Sequence, residues 1–116
     1  MARKKNTNVV NYKGEEYALV FNLNVMEDIQ EKYGSVEEWG NLVEAQAEPK
    51  AKDIKYGFMA MLNEGIDIYN DEHEEKREFL TEKQVGRLLS EIGLSEAAKA
   101  LNKTVVDSTR SDEKNS

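Results

Sequence analysis

The chain has 116 residues, 39% of them apolar and 34% charged, with a formal net charge of −7 and no cysteine. That length supports one domain that buries roughly two thirds of its unfolded surface. Without thiols there are no disulfides, thiolate metal sites or cysteine nucleophiles, and the acidic balance argues against broad nucleic-acid binding, which needs clustered Lys and Arg.

Residues 1–7 include Arg3, Lys4 and Lys5. No apolar stretch follows to make them a secretory signal, and they are expected to form a disordered basic lead-in. No apolar run approaches the ~18 residues of a membrane span, so the cytoplasm is the simplest expected location. The segments "NVVNY" and "EYALVFN" flank Lys13 and Gly14. Glycine supplies the positive φ of a tight turn, which predicts a β-hairpin over 8–23. Tyr17, Leu19, Phe21 and Leu23 alternate onto one face. Helices must cover that face, because a lone two-stranded hairpin is marginal in water.

Asn24, with Glu27 three residues on, has capping-box spacing and opens a helix over 25–33. Its stripe is Val25 or Met26, then Ile29 and Tyr33, and Gly34 ends it. Ser35 and Glu38 repeat the spacing for a helix over 36–46, with Val36, Trp39 and Val43 inward. Pro49, within "EPKAK", marks a loop. Asp53 then caps the most apolar helix, over 54–69. Ile54, Phe58, Met61, Leu62, Gly65 and Tyr69 form its stripe, and Tyr56, Met59 and Ala60 widen it past an ordinary half-buried face. Such a helix is either central or covered by a partner. Gly57 and Gly65 cost helix stability and suit close approach of another helix, from this chain or a second one.

"NDEHEEKRE" reads as a solvated loop or frayed helix end, with five acids and two bases in 71–78. Thr81 and Gln84 make a further capping-box pair, for a helix over 82–92 that turns Val85, Leu88, Leu89 and Ile92 inward and closes at Gly93. Ser95 caps the last helix, over 96–106, which carries Ala97, Ala98, Leu101 and Val105. From Asp107 the chain has too little to bury, so 107–116 is expected to be a disordered tail. The sum is an α+β, mainly α fold: one globular domain over 8–106, with an N-terminal hairpin packed on about five short helices.

Catalytic chemistry would rest on His73, the sole histidine, or on carboxylates. Asp71, Glu72, Glu74 and Glu75 surround it, but contiguous acids lack the spaced oxygens and turn glycine of a hard-cation loop. No phosphate-cradling glycine loop, G-x-S-x-G or H-E-x-x-H occurs. The expectation is a non-enzymatic protein with no metal and no cofactor. Tyr56, Met59, Met61 and Tyr69 on the central helix are the candidate partner-binding residues, since aromatic and adaptable methionine side chains suit partner surfaces. Core packing is the alternative for each, and the favoured role for Trp39.

The order of hairpin, "FNLNVMEDIQEKYGSVEEW", a helix containing "MLNEGI" and then "LTEKQVGRLLSEIG" resembles the tail assembly chaperones of long-tailed bacteriophages and gene transfer agents. The resemblance covers residues 8–105. It is strongest at Leu23-Asn24, at the corner Tyr33-Gly34-Ser35 and at Leu80-Thr81. It implies a self-associating protein of the host cytoplasm that keeps the tape measure protein soluble, recruits tail tube protein and is absent from the finished virion. Many such chaperones are made in two lengths by a programmed ribosomal frameshift. Lys114-Asn115 is the pair that a slippery A-AAA-AAC heptamer encodes, so "EKNS" is compatible with such a site, the tail being its junction. The acidic stretch after Tyr69 is longer than the family pattern, and no contact residue carries over. Two other readings stay open: an acidic regulator, antitoxin-like or a DNA mimic, and a permanent structural part of the tail or its connector. Interleaving of acids with Lys and Arg in "EDIQEK" and "EEKRE" weakens the field a mimic needs.

Overall fold

The structure is a computed structural model that describes residues 8–44 and 50–115, with side chains described as far as Thr109. The basic lead-in over 1–7 and the loop at Pro49 lie outside the described residues. Strands β1 (Asn8–Tyr12) and β2 (Glu15–Leu19) pair antiparallel with Tyr12 opposite Glu15. Lys13 and Gly14 both take positive φ, 54° and 81°, the signature of a two-residue turn whose twist matches the strands. Among the described residues five helices follow: α1 (Leu23–Tyr33), α2 (Val36–Val43), α3 (Ala51–Glu72), α4 (Glu82–Ile92) and α5 (Leu94–Asn115). The fold is α+β and mainly α, as expected, although α3 and α5 reach 22 residues each and are not short.

The α1 cap lies two residues earlier than expected. Asn22, not Asn24, accepts the Val25 N–H, at 3.2 Å. The reason is a shared partner: the side-chain amides of Asn22 and Asn24 both donate to Glu64 Oε2 on α3, at 2.8 and 3.1 Å. Leu23 therefore becomes the first helical residue and stands 77% exposed, outside the hairpin face assigned to it. Gly34 ends α1 as expected, and Ser35 Oγ accepts the Glu38 N–H at 3.0 Å to open α2. Helix α2 ends at Val43; residues 45 and 46 are not described.

Asp53 does not cap α3. That helix starts at Ala51 behind Lys50, with no side-chain cap, and Asp53 is occupied as acceptor for the Tyr33 hydroxyl at 2.6 Å. The stripe is buried as read at Ile54, Phe58, Met61 and Leu62, Ile66 joins it, and Gly65 and Tyr69 are half-buried. Two glycines on α3 receive neighbours. A Cβ on Gly57 would lie 2.3 Å from Cζ2 of the Trp39 ring, and one on Gly65 would lie 2.5 Å from the Ala18 carbonyl oxygen. The Trp39 indole N–H donates to the Asp53 carbonyl at 3.1 Å, and the Val20 N–H reaches the Met61 carbonyl at 3.3 Å. The expected close approach is real, but at Gly65 it is made by a strand backbone.

Thr81 and Gln84 form both halves of the capping box of α4, and Val85, Leu88 and Leu89 turn into the core. Helix α5 starts at Leu94, placing Ser95 inside it, and continues past 106 to Asn115. The boundary expected at Asp107 lies inside α5, where polar anchors hold the next residues. Asp107 is buried against Lys103 Nζ at 2.8 Å, and Ser108 Oγ donates to the Phe21 carbonyl at 3.1 Å. That carbonyl follows the end of β2 and needs a donor. Among the described residues, no helix is long and apolar enough to cross a membrane.

The glycine geometry gives opposite signs for one substitution. Gly57→Ala forces a buried indole to move and destabilises by about 1–3 kcal/mol, despite the gain in helix propensity. Gly86→Ala meets only the Lys55 side chain, at 3.7 Å, and stabilises by about 0.5–1 kcal/mol. Urea unfolding of the two variants checks both signs.

Candidate protein-binding site

The four candidate contact residues do not share a surface. Met61 is fully buried, and Met59 is half-buried against the core. Tyr56 packs edge-to-face on Tyr33, with ring centroids 5.7 Å apart, and its hydroxyl donates to the Asp28 carbonyl at 3.2 Å. Tyr69 lies thirteen residues further along α3, about 20 Å along the axis. It stacks on His73 at 3.8 Å and against the Arg77 guanidinium at 4.2 Å. Both tyrosines are half-buried ties between elements of this chain. Trp39 is core, 3% exposed.

The acidic stretch is exposed from Asp71 to Lys76 at and beyond the end of α3, as read, and it is anchored on either side. Asn70 and Asn63 on α3 each use the side-chain amide as a backbone mimic. Asn70 Oδ1 accepts the Arg77 N–H at 2.8 Å while its Nδ2 donates to the Arg77 carbonyl at 3.0 Å. Asn63 does the same for Leu80, at 2.9 and 3.1 Å. Arg77 then reaches the hairpin, pairing with Glu15 at 3.2 Å, donating to the Glu16 carbonyl at 2.9 Å and lying 4.9 Å from the Tyr17 centroid. The acids around His73 stay exposed, and among the described residues no group is arranged to hold a metal. His73 Nδ1 lies 2.9 Å from the Tyr69 carbonyl.

An open groove of ≈ 590 Å³ runs between the first half of α3, helix α4 and the start of α5. Ala51, Lys52 and Lys55 form one wall; Gly86, Leu89 and Leu94 form the other. Lys55 spans it, its ammonium 3.6 Å from Glu82, and its stem crosses the bare backbone at Gly86. Sequence reasoning passed over Gly86. The available signal was a glycine inside "EKQVGRLLSEI", an otherwise clean amphipathic helix. Smaller clefts lie between α2 and α5, ≈ 160 Å³, and between the hairpin and the second half of α3, ≈ 330 Å³.

Two tyrosines titrate abnormally. Burial, then the hydrogen bond and negative charge of Asp53, push the Tyr33 phenol well above its usual range; burial and the charges of Asp28 and Glu31 raise Tyr56. Comparison with protein-family profiles, with curated proteins and with solved structures returned no match.

The raised Tyr33 pKa fixes the sign of an alkaline effect. The folded state holds this proton more tightly than the unfolded chain, whose phenol titrates near pH 10. The associated stability is complete below about pH 10 and declines as pH rises toward the folded pKa. Tyr33→Phe lowers stability at neutral pH by about 1 kcal/mol and flattens the alkaline decline, as read from thermal melts across that range.

Proposed function

We propose that this protein is a tail assembly chaperone of the long-tailed bacteriophage type, acting without catalysis in the host cytoplasm. It holds a helical segment of the tape measure protein, keeps that long client soluble and presents it to tail tube protein. It self-associates and stays out of the finished virion. The observation that carries the reading is the sequence resemblance across residues 8–105. The observed order of hairpin and helices is compatible with that resemblance, and the groove beside α3 and α4 gives support of a different kind. A tape measure protein exposes apolar helical stripes before assembly, and a groove between helices accepts such a stripe through anchors one turn apart.

Co-expression with the tape measure protein of the same genome tests this. The client is expected in the soluble fraction, co-purifying with this chain, and insoluble when expressed alone. A client equally insoluble with or without this chain overturns the reading. The two-length form belongs to the same proposal. Expression of the gene with its native downstream DNA yields a second, longer product whose fusion peptide starts at or next to Lys114-Asn115, detected by mass spectrometry. A single product removes the frameshift and leaves the capture experiment to decide.

A further inference from the structure

We infer that the groove between α3, α4 and α5 is the client seat, and that its occupant is an amphipathic helix whose apolar stripe is flanked by carboxylates. This rests on the chaperone reading above and specifies its site.

Glycines inside helices sort into two groups here. Gly57 and Gly65 are required by this chain: Trp39 occupies the space of one missing side chain and the Ala18 carbonyl that of the other. Gly86 is not so required. A methyl there meets Lys55 Cδ at 3.7 Å, an ordinary contact, and the backbone has no positive φ that favours glycine. The fold alone would do better with alanine at this position. What the glycine does provide is a flat groove wall crossed by the Lys55 stem, so that a client that draws Lys55 aside meets helix backbone there. Gly40 also meets nothing within 4 Å, but the cleft it lines is only ≈ 160 Å³.

Charge selects the occupant. The chain carries −7 overall, yet among the described residues the groove presents Lys52 and Lys55 against the single acid Glu82. Glu82, itself exposed, is already met by the half-buried Lys55 at 3.6 Å, a weak pair that a client carboxylate can displace at little cost. A helix bearing acids beside its stripe places them on these lysines, and one bearing lysines meets like charge. A second copy fits poorly. The buried residues of its α1–α4 already form its own core, and its exposed large apolar residues, Val9, Leu23, Ile68, Phe79 and Val106, are spread over separate segments.

Two synthetic helical peptides with the same leucine stripe, one flanked by glutamate and one by lysine, serve as probes in fluorescence anisotropy. The glutamate peptide is expected to bind the full chain at least about tenfold more tightly, with affinity falling as salt rises. Gly86→Leu, which fills the groove, and Lys52→Glu, which reverses its lip, each weaken binding by about tenfold or more. Gly86→Ala reports on the fold, melting at or above the wild-type temperature. Should Gly86→Leu fail to fold, Ser90→Trp blocks the groove from an exposed position on the same helix. Equal affinity for the two peptides, or unchanged binding to the blocked variant, overturns the inference. So does sedimentation showing that the block dissolves a dimer while peptide binding is absent. If the tape measure protein co-purifies with wild type and the blocked variant alike, the chaperone reading stands and this seat is wrong. If the peptides discriminate but no tape measure protein is captured, the seat stands and the chaperone reading fails.

Discussion

The fold depends on how closely neighbouring elements come to the backbone of α3. Two side chains are missing on that helix, at Gly57 and Gly65, and each absence admits a specific neighbour. The indole of Trp39 lies in the first space and is fixed there by its bond to the Asp53 carbonyl. This sets α2 against α3. The β2 backbone enters the second, and the Val20 N–H to Met61 carbonyl bond follows from that approach. A two-stranded hairpin lacks the buried area to stand alone; here it is stabilised by contact with helix backbone as well as by side-chain packing. Helix α3 thus sets the position of both α2 and the sheet.

Polar side chains then complete the assembly where the core does not reach. Glu64 collects the amides of Asn22 and Asn24 and so fixes where α1 begins. Asn63 and Asn70 hold the return segment along α3, and Arg77 ties that segment to the hairpin. Most of these bonds satisfy backbone groups that secondary structure leaves unpaired, and an unpaired buried group costs more than a made bond contributes. Their role is to fix geometry between segments far apart in sequence, and Ser108 does the same for Phe21 across 87 residues.

This division explains what was legible in the sequence. Signals that act within one turn of helix were readable: Ser35 and Thr81 as caps, Gly34 and Gly93 as stops, and the stripes of α3 and α4. Signals that depend on a distant partner were not. Asn24 has the better local spacing, but Glu64 recruits Asn22 as well. Asp53 is a plausible cap until the Tyr33 hydroxyl occupies it. The segment after Asp107 has the composition of a disordered tail, because its anchors are one carboxylate and one hydroxyl. Arg77 looked like part of a charge run, and only the positions of Tyr17 and Tyr69 make it a clamp.

The same logic bears on the binding site. Residue type directed attention to Tyr56, Met59, Met61 and Tyr69, because large adaptable side chains are common at interfaces. In this chain those side chains serve internal contacts, and tyrosine hydroxyls and rings hold helices and loop together. A groove for another helix is made by the opposite means, a position where a side chain is left out and the fold gains nothing by it. Gly86 and Gly40 meet that description while Gly57 and Gly65 do not, a distinction invisible until the neighbours of each glycine are known. Helix propensity alone ranks all four as equal defects. Only the two that the fold fills can be explained by stability, so the other two are where a constraint other than folding has room to act, and of these Gly86 lines the larger groove.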